Sequence, residues 1–143
     1  MKINNLVVFC LYFGKIIVME LRDHLKLGKS GEDMACEYLV NNRWKIIDRN
    51  FRRKFGELDI IAKEKSGILV FVEVKTMTGN NDYLLKPEDQ MTKSKIGKFK
   101  KIAQYYAGLH PEFINDKKGW RLDLLTLTIL EKNCIIKHYE NIT

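Results

Sequence analysis

The stretch from Gly56 to Thr76, GELDIIAKEKSGILVFVEVKT, constrains the fold of this chain more than any other part of the sequence. Its two runs rich in Ile, Val and Leu, residues 57–63 and 68–76, are typical of neighbouring β-strands. Between them, Lys65-Ser66-Gly67 fits a three-residue hairpin loop with Gly67 in the left-handed conformation. The stretch therefore predicts an antiparallel hairpin that is symmetric about Ser66.

This register brings charged side chains together at the end of the hairpin that lies away from the loop. Asp59 is then opposite Glu73, and Glu57 is opposite Lys75. Because side chains alternate along a strand, we expect Glu57, Asp59 and Ile61 to share one face. Like charges directly opposite each other destabilise a sheet, so Asp59 and Glu73 need a compensating cation. Lys75 could supply part of it, and a bound divalent metal could supply more.

Several motifs in this region resemble those of known nucleases. Asp59, thirteen intervening residues and then Glu73-Val74-Lys75 resemble the D…(D/E)xK signature of restriction-endonuclease-like nucleases. More closely, the segments GKSGEDMACEYL at 28–39, GELDII, FVEVKT and the later RLD are similar to the YraN-type family of uncharacterised bacterial proteins. That family is itself similar to archaeal Holliday-junction resolvases. The resemblance covers roughly residues 27–130 and implies a restriction-endonuclease-like core.

The resemblance implies a metal-dependent endonuclease that acts on DNA, with branched or damaged DNA as candidate substrates. Phosphodiester hydrolysis needs an activated water, a stabilised phosphate and a positioned leaving oxygen, and Mg²⁺ or Mn²⁺ can supply all three. Asp59 and Glu73 would be ligands, and the backbone carbonyl of Val74 would be a third oxygen. Lys75 would orient the water or stabilise the developing negative charge. Glu32 could complete the shell, directly or through water.

Glu32 has two interpretations. A helix is predicted over residues 30–42, since Ser30 followed by Asp33 resembles a capping box. Its apolar stripe, with helical spacing, consists of Met34, Ala35, Tyr38 and Leu39. In the first turn of such a helix, Glu32 could simply complement the helix dipole. Alternatively it is a third acidic group of the site, which the resolvase resemblance implies.

Charge and composition favour a nucleic-acid partner. The 143 residues include 25 basic and 18 acidic ones, a net charge of +7, which favours anionic partners, nucleic acid first. The 3 cysteines and 3 histidines are scattered and form no CxxC, HNH or HExxH pattern. Zinc, a disulfide framework and histidine-based metal chemistry are therefore disfavoured, and a reducing cytoplasm is the simplest setting.

Two basic segments are candidate phosphate-binding surfaces. Arg52, Arg53 and Lys54 lie with Phe51 and Phe55 in a loop directly before the acidic hairpin. A second helix is predicted over residues 91–109, with a core stripe formed by Ile96, Phe99, Ile102, Ala103 and Tyr106. It carries five lysines within nine residues: Lys93, Lys95, Lys98, Lys100 and Lys101. Lys95 and Lys98 are our candidates there, and Lys95 aligns with a basic position in the helix of the family. Both segments could equally be ordinary solvated surfaces.

Residues 1–18 differ from the rest of the chain. LVVFCLYF at 6–13 is shorter than the about 20 apolar residues that a membrane span requires, and no small-residue cleavage site follows it. The family resemblance begins only after Met19. We therefore expect residues 1–18 to be an apolar extension, with Met19 as a candidate true start, and residues 19–143 to form one domain.

The remaining segments complete an α/β fold. Further strands are predicted at 44–51, 120–131 and 135–139, with loops at 78–90 and 110–119. The order α-β-β-β-α-β-β predicts a mixed, largely antiparallel central sheet flanked by helices. The strand–helix–strand crossover should make the strand at 120–131 parallel to the one before it. Arg121 and Asp123 then lie away from Lys75, and we interpret them as a structural ion pair.

Three functions remain open on sequence grounds. The first is a metal-dependent DNA endonuclease, and all its expected signature residues are intact. The second is a nucleic-acid-binding module that keeps the fold but cleaves little. The third is a non-enzymatic assembly domain, which would leave the juxtaposition of Asp59 and Glu73 unexplained. Resolvase-like proteins usually work as two-fold dimers, so a homodimer is expected by analogy.

Overall fold

The computed structural model describes residues 2–4, 24–79, 91–130 and 134–143. Within these ranges the chain forms six strands and two α-helices. The strands are β1 (Lys2–Asn4), β2 (Lys45–Arg53), β3 (Gly56–Lys63), β4 (Leu69–Thr78), β5 (Trp120–Ile129) and β6 (Cys134–Glu140). The helices are α1 (His24–Asn41) and α2 (Lys93–Leu109), and a short 3₁₀ helix follows at Pro111–Phe113. Neither α-helix is long and apolar enough to cross a membrane.

The strands form one mixed sheet in the order β1-β6-β5-β4-β3-β2. β4 and β5 are parallel and are connected through α2, whereas every other neighbouring pair is antiparallel. The predicted element order and the largely antiparallel sheet are therefore confirmed. β1 adds an edge strand from the segment that the sequence set apart as an extension. The rest of that segment lies outside the described residues.

The central hairpin has the predicted register. Its ladder runs from Lys63 opposite Leu69 to Ile60 opposite Val72, which is symmetric about Ser66. Gly67 has a φ of 89°, the left-handed conformation that a three-residue loop requires. The loop closes through a hydrogen bond from the Gly67 amide to the Glu64 carbonyl, 2.9 Å long. The predicted loop type is confirmed.

One helix covers each face of the sheet, and the helical stripes predicted from the sequence are the residues that pack. The α1 side buries Ala35, Tyr38 and Leu39 against apolar residues of β3, β4, β5 and β6. The α2 side buries Phe99, Ile102, Ala103 and Tyr106 against Leu58, Ile61, Leu69, Phe71 and Leu122. The central strands are consequently apolar on both faces, as is expected of a sheet between two helical layers.

The beginning of α1 was predicted wrongly. The helix starts at His24, so Ser30 is inside it and is not a cap. The helix continues for six residues on the N-terminal side of Ser30, so the capping-box resemblance does not mark its beginning. Strand boundaries and the start of α2 agree with the prediction within two residues. The loop predicted at 78–90 lies outside the described residues from position 80 onwards.

Gly31 sets how closely α1 approaches the sheet. A Cβ atom at Gly31 would lie 1.9 Å from Oγ1 and 2.9 Å from Cβ of Thr76, which is near the end of β4. Real side chains do not approach so closely, and the branched Thr76 cannot rotate all its heavy atoms away. Gly31 therefore lets α1 contact β4 beside Lys75 and places Glu32 at the same end of the strand.

We predict that Gly31→Ala lowers the free energy of unfolding by about 1–3 kcal/mol, since it overpacks this contact. Adding Thr76→Ala should recover part of the loss, which thermal denaturation of the double-mutant cycle measures. Gly97→Ala in α2 is the matched control. Nothing lies within 4 Å of a Cβ at that position. The control should be stabilised by up to about 1 kcal/mol. If Gly31→Ala and Gly97→Ala changed the free energy of unfolding equally, the close approach of α1 to β4 would be contradicted.

Candidate metal centre

The strands of the central hairpin stop pairing where the acidic residues begin. The backbone ladder ends at the pair Ile60 and Val72. Beyond it, Oδ2 of Asp59 accepts a 2.8 Å hydrogen bond from the Val74 amide. The side chain of Asp59 thus satisfies a backbone donor of β4 that a neighbouring strand would otherwise pair. This bond holds the carboxylate against the strand that carries Glu73 and Lys75.

An irregularity in β3 accompanies this arrangement. Leu58 and Ile61 both pack on the α2 side, although they are three residues apart, so side chains do not alternate strictly between them. In the adjacent strand Asn50 lies opposite Asp59 and has a φ of 55°. The prediction that Glu57, Asp59 and Ile61 share one face by regular alternation is therefore wrong.

The pKa of Asp59 is raised to about 7. Burial is the largest cause, and the negative charge of Glu73 is the second. The hydrogen bond from Val74 and the charge of Lys75 oppose the rise of this pKa, while Glu32 adds a small further increase. Asp59 therefore lies within electrostatic range of two other carboxylates.

Glu73 and Lys75 form a close pair on β4. The Lys75 Nζ atom lies 2.5 Å from Oε1 of Glu73, and the two side chains are 25% and 17% exposed. Glu57 does not face Lys75 as predicted. It lies opposite Arg52 of β2, and the two form a 3.2 Å ion pair at the surface. The exposed Glu57 is thus separate from the partly buried group formed by Asp59, Glu73 and Lys75.

Glu32 lies in the middle of α1, as the ninth of its 18 residues. It cannot complement the dipole from the first turn, because the effect is confined to that turn, so that interpretation is wrong. The neighbouring Asp33 forms a 2.6 Å ion pair with Arg49 of β2, which fixes this part of the helix against the sheet. Glu32 is half-buried and its charge reaches Asp59.

The donor set suits a hard divalent cation with few protein ligands. No three His, Cys, Asp or Glu side chains come together as a metal-binding group anywhere in the described ranges. Magnesium does not need three, because it is usually held by one or two carboxylates and retains several waters. Asp59 and Glu73 provide two, and their mutual repulsion is what a cation would relieve. Asp59 and Glu73 therefore fit a magnesium or manganese ion as direct ligands, whereas Glu32 acts on Asp59 only through its charge.

A second set of charges lies nearer the beginning of β5, where Arg121 pairs with Val70 and Asp123 with Val72 of β4. Asp123 is fully buried and accepts hydrogen bonds from Arg121 at 3.0 Å, from His138 at 2.8 Å and from the Asn141 amide at 3.0 Å. Arg121 also contacts Glu64 at 2.7 Å. The predicted ion pair of Arg121 and Asp123 is confirmed. Sequence reasoning missed Glu64 and His138, since their spacing along the chain carries no signal.

The predicted phosphate-binding residues are at the surface. Arg52, Arg53 and Lys54 are exposed around the turn between β2 and β3. The Arg53 guanidinium lies 4.2 Å from the centroid of the Phe51 ring. On α2, Lys95 and Lys98 are exposed, together with Lys93, Lys100 and Lys101. Their positions leave them accessible to a phosphate backbone, and their role in binding it stays a prediction.

The raised pKa of Asp59 predicts a specific pH dependence of stability. The folded state keeps this proton up to about pH 7, whereas the unfolded chain releases it near the ordinary aspartate pKa of 3.8. The wild type should therefore lose stability as the pH rises through this window, by at most about 1.4 kcal/mol per pH unit. Asp59→Asn removes the ionisation and keeps an acceptor for the Val74 amide.

The stability of Asp59→Asn relative to the wild type should consequently increase from about pH 5 to about pH 8 and then level off. Thermal denaturation in a metal chelator measures the difference. Glu57→Gln, an exposed change on the same strand, should show no such trend. A difference for Asp59→Asn that is constant with pH would mean that folding does not shift the pKa of Asp59, and one that falls with pH would mean that folding lowers it; both contradict the raised pKa.

Comparison with known proteins identifies the family. A family model described as "Uncharacterised protein family UPF0102" matches residues 31–135. A UPF0102 protein of Campylobacter lari is 42% identical over 107 residues, which cover 75% of this chain and 87% of that protein. The UPF0102 protein of Persephonella marina is 40% identical, over 80% of this chain and 90% of its own length. That of Thermodesulfovibrio yellowstonii is 42% identical, over 82% of this chain and 95% of its own length. The chain therefore belongs to the uncharacterised protein family UPF0102, the YraN-type family that its motifs resemble.

Proposed function

We propose that this protein is a metal-dependent endonuclease that hydrolyses DNA phosphodiester bonds. The observation that carries the proposal is the pairing of a partly buried carboxylate, Asp59, with a second carboxylate, Glu73, beside the amino group of Lys75. Burial and like charge are costly for stability and shift a pKa strongly, and such groups concentrate at functional sites. A bound divalent cation would offset that cost and could take part in hydrolysis.

The residues have distinct roles in this proposal. Asp59 and Glu73 would hold a magnesium or manganese ion, which when bound would activate water and stabilise charge on the phosphate. Lys75 would stabilise the negative charge that develops during attack or orient the attacking water. The Val74 amide fixes the Asp59 carboxylate, and the Val74 carbonyl is a candidate additional oxygen ligand. Glu32, which approaches because Gly31 admits α1, would act through a water.

The surrounding charge supports DNA as the substrate. Two partly buried carboxylates would repel a phosphate, so binding alone does not explain them. The exposed basic residues around the β2–β3 turn and along α2 provide the compensating attraction. A binding module that does not cleave would gain nothing from Asp59, and this favours hydrolysis over the alternative. By analogy with resolvase-like proteins, we expect the protein to act as a two-fold homodimer, and we expect it in the cytoplasm.

We predict that magnesium or manganese raises the melting temperature of the wild type. At a metal concentration of 100 times Kd, the stabilisation is about 2.7 kcal/mol. Asp59→Asn should lose both this stabilisation and cleavage of linear, single-stranded and four-way-junction DNA. Lys75→Ala should keep most of the stabilisation and lose cleavage, because the lysine is not a ligand.

Glu57→Gln is the control for this experiment, since it neutralises an exposed carboxylate two residues from Asp59 that pairs with Arg52. It should retain both metal stabilisation and cleavage. If wild-type melting ignores both metals and no DNA is cut, the carboxylates are structural and the proposal fails.

Binding to duplex DNA should weaken steeply with salt. If the basic residues neutralise about four phosphates, log K should fall with log salt at a slope near −3 to −4. Fluorescence anisotropy in a chelator measures this without cleavage. Replacing Lys98 by Ala should reduce the slope by about 1. A flat response to salt would favour the assembly domain.

A further inference from the structure

Two exposed aromatic side chains meet at the turn between β2 and β3. Phe55 and Tyr105 are each 41% exposed, and their ring centroids are 5.3 Å apart at an interplanar angle of 86°. The other large hydrophobic side chains that are exposed in the described part of the chain, Val40 and Leu109, are aliphatic. Phe55 comes from the turn and Tyr105 from α2. The two rings therefore form one aromatic surface that joins two elements.

Cations surround this pair. Nζ of Lys101 lies 5.8 Å from the centroid of the Phe55 ring, and the Arg53 guanidinium lies 5.9 Å from that of Tyr105. Lys54 is exposed next to Phe55. The acidic residue nearest in sequence, Glu57, pairs with Arg52. We call Arg53, Phe55, Lys101 and Tyr105 the aromatic–cation surface.

This surface lies within reach of the candidate metal centre. Asp59 is four residues beyond Phe55, almost all of them in β3, so the two are at most about 13 Å apart at roughly 3.3 Å per strand residue. A Cβ atom added at Gly56 would lie 3.4 Å from the Ile102 side chain of α2, so the end of the turn runs alongside the helix that carries Tyr105. A nucleic-acid strand with one phosphate at Asp59 could place a base on this surface a few nucleotides away.

We infer that the aromatic–cation surface stacks unpaired bases of a DNA strand whose backbone continues to the metal centre. This inference rests on the proposed function and gives it a substrate class: DNA with unpaired bases beside the scissile bond, as at forks, flaps and branch points. Aromatic rings bind any base through its π-face, and neighbouring cations bind the adjacent phosphates. A duplex does not expose base faces to these rings, because its bases are stacked on each other.

The test uses the full chain, a chelator to prevent cleavage, and labelled thymidine oligonucleotides of about 16 nucleotides beside a duplex of equal length. Phe55→Leu combined with Tyr105→Leu keeps apolar side chains but removes both π-faces. This variant should bind the single strand at least about 5-fold more weakly per ring lost, with little change for the duplex. Phe55→Trp combined with Tyr105→Phe should restore single-strand affinity. In the wild type, 2-aminopurine in the oligonucleotide should be quenched on binding.

Leu109→Ala is the matched control, because it removes an exposed apolar side chain from the same helix without removing a π-face. It should leave both affinities unchanged. Unchanged single-strand affinity in the leucine variant, or an equal loss for single strand and duplex, would overturn the inference and make the aromatic pair structural. If cleavage by the wild type persists while that variant binds normally, the proposed function survives alone. If the wild type binds neither DNA at low salt, both fail.

Discussion

The electrostatics of the central hairpin depend on one partly buried carboxylate, that of Asp59. Asp59 accepts one backbone hydrogen bond from Val74, and its pKa is raised to about 7, first by burial and then by the negative charge of Glu73. Desolvation disfavours an ionised group strongly unless something neutralises it. Lys75 does so only in part, because it forms its close contact with Glu73. The hairpin therefore retains an electrostatic strain that its folded state alone does not remove.

The buried charges around Asp123 of β5 show a carboxylate whose hydrogen-bonding needs are met within the protein. Asp123 receives hydrogen bonds from a guanidinium, an imidazole and a backbone amide, and Arg121 has a further acidic partner in Glu64. Such a network fixes the packing of β5 and β6 without needing a ligand. Both groups contain carboxylates and cations. They differ in whether the central carboxylate is surrounded by donors or lies beside a second carboxylate, which is why we propose chemistry only for the group around Asp59.

The elements around Asp59 are arranged so that several parts of the chain reach the same end of the sheet. Gly31 lets α1 lie beside the last residues of β4. The parallel pairing of β4 and β5 places Arg121 five register positions from Lys75. The β2–β3 turn brings basic and aromatic side chains close to β3. Each arrangement has a cost in local propensity or solvation. Glycine inside a helix and exposed aromatic rings are both unfavourable taken alone. Functional sites commonly retain features of this kind at the expense of stability.

The sequence by itself determined the hairpin, its register and the two helical stripes. The reason is local: a three-residue loop with Gly67 fixes which residues face each other, and apolar spacing fixes which helix face is buried. It also identified Asp59, Glu73 and Lys75 as one group. Only the tertiary structure decided the rest. The close approach of α1 to β4 depends on a contact between Gly31 and Thr76, which are 45 residues apart in the sequence. The irregularity at Leu58, the pairing of Glu57 with Arg52, the partners of Asp123 and the meeting of Phe55 with Tyr105 likewise depend on contacts between separate elements, which no local pattern encodes.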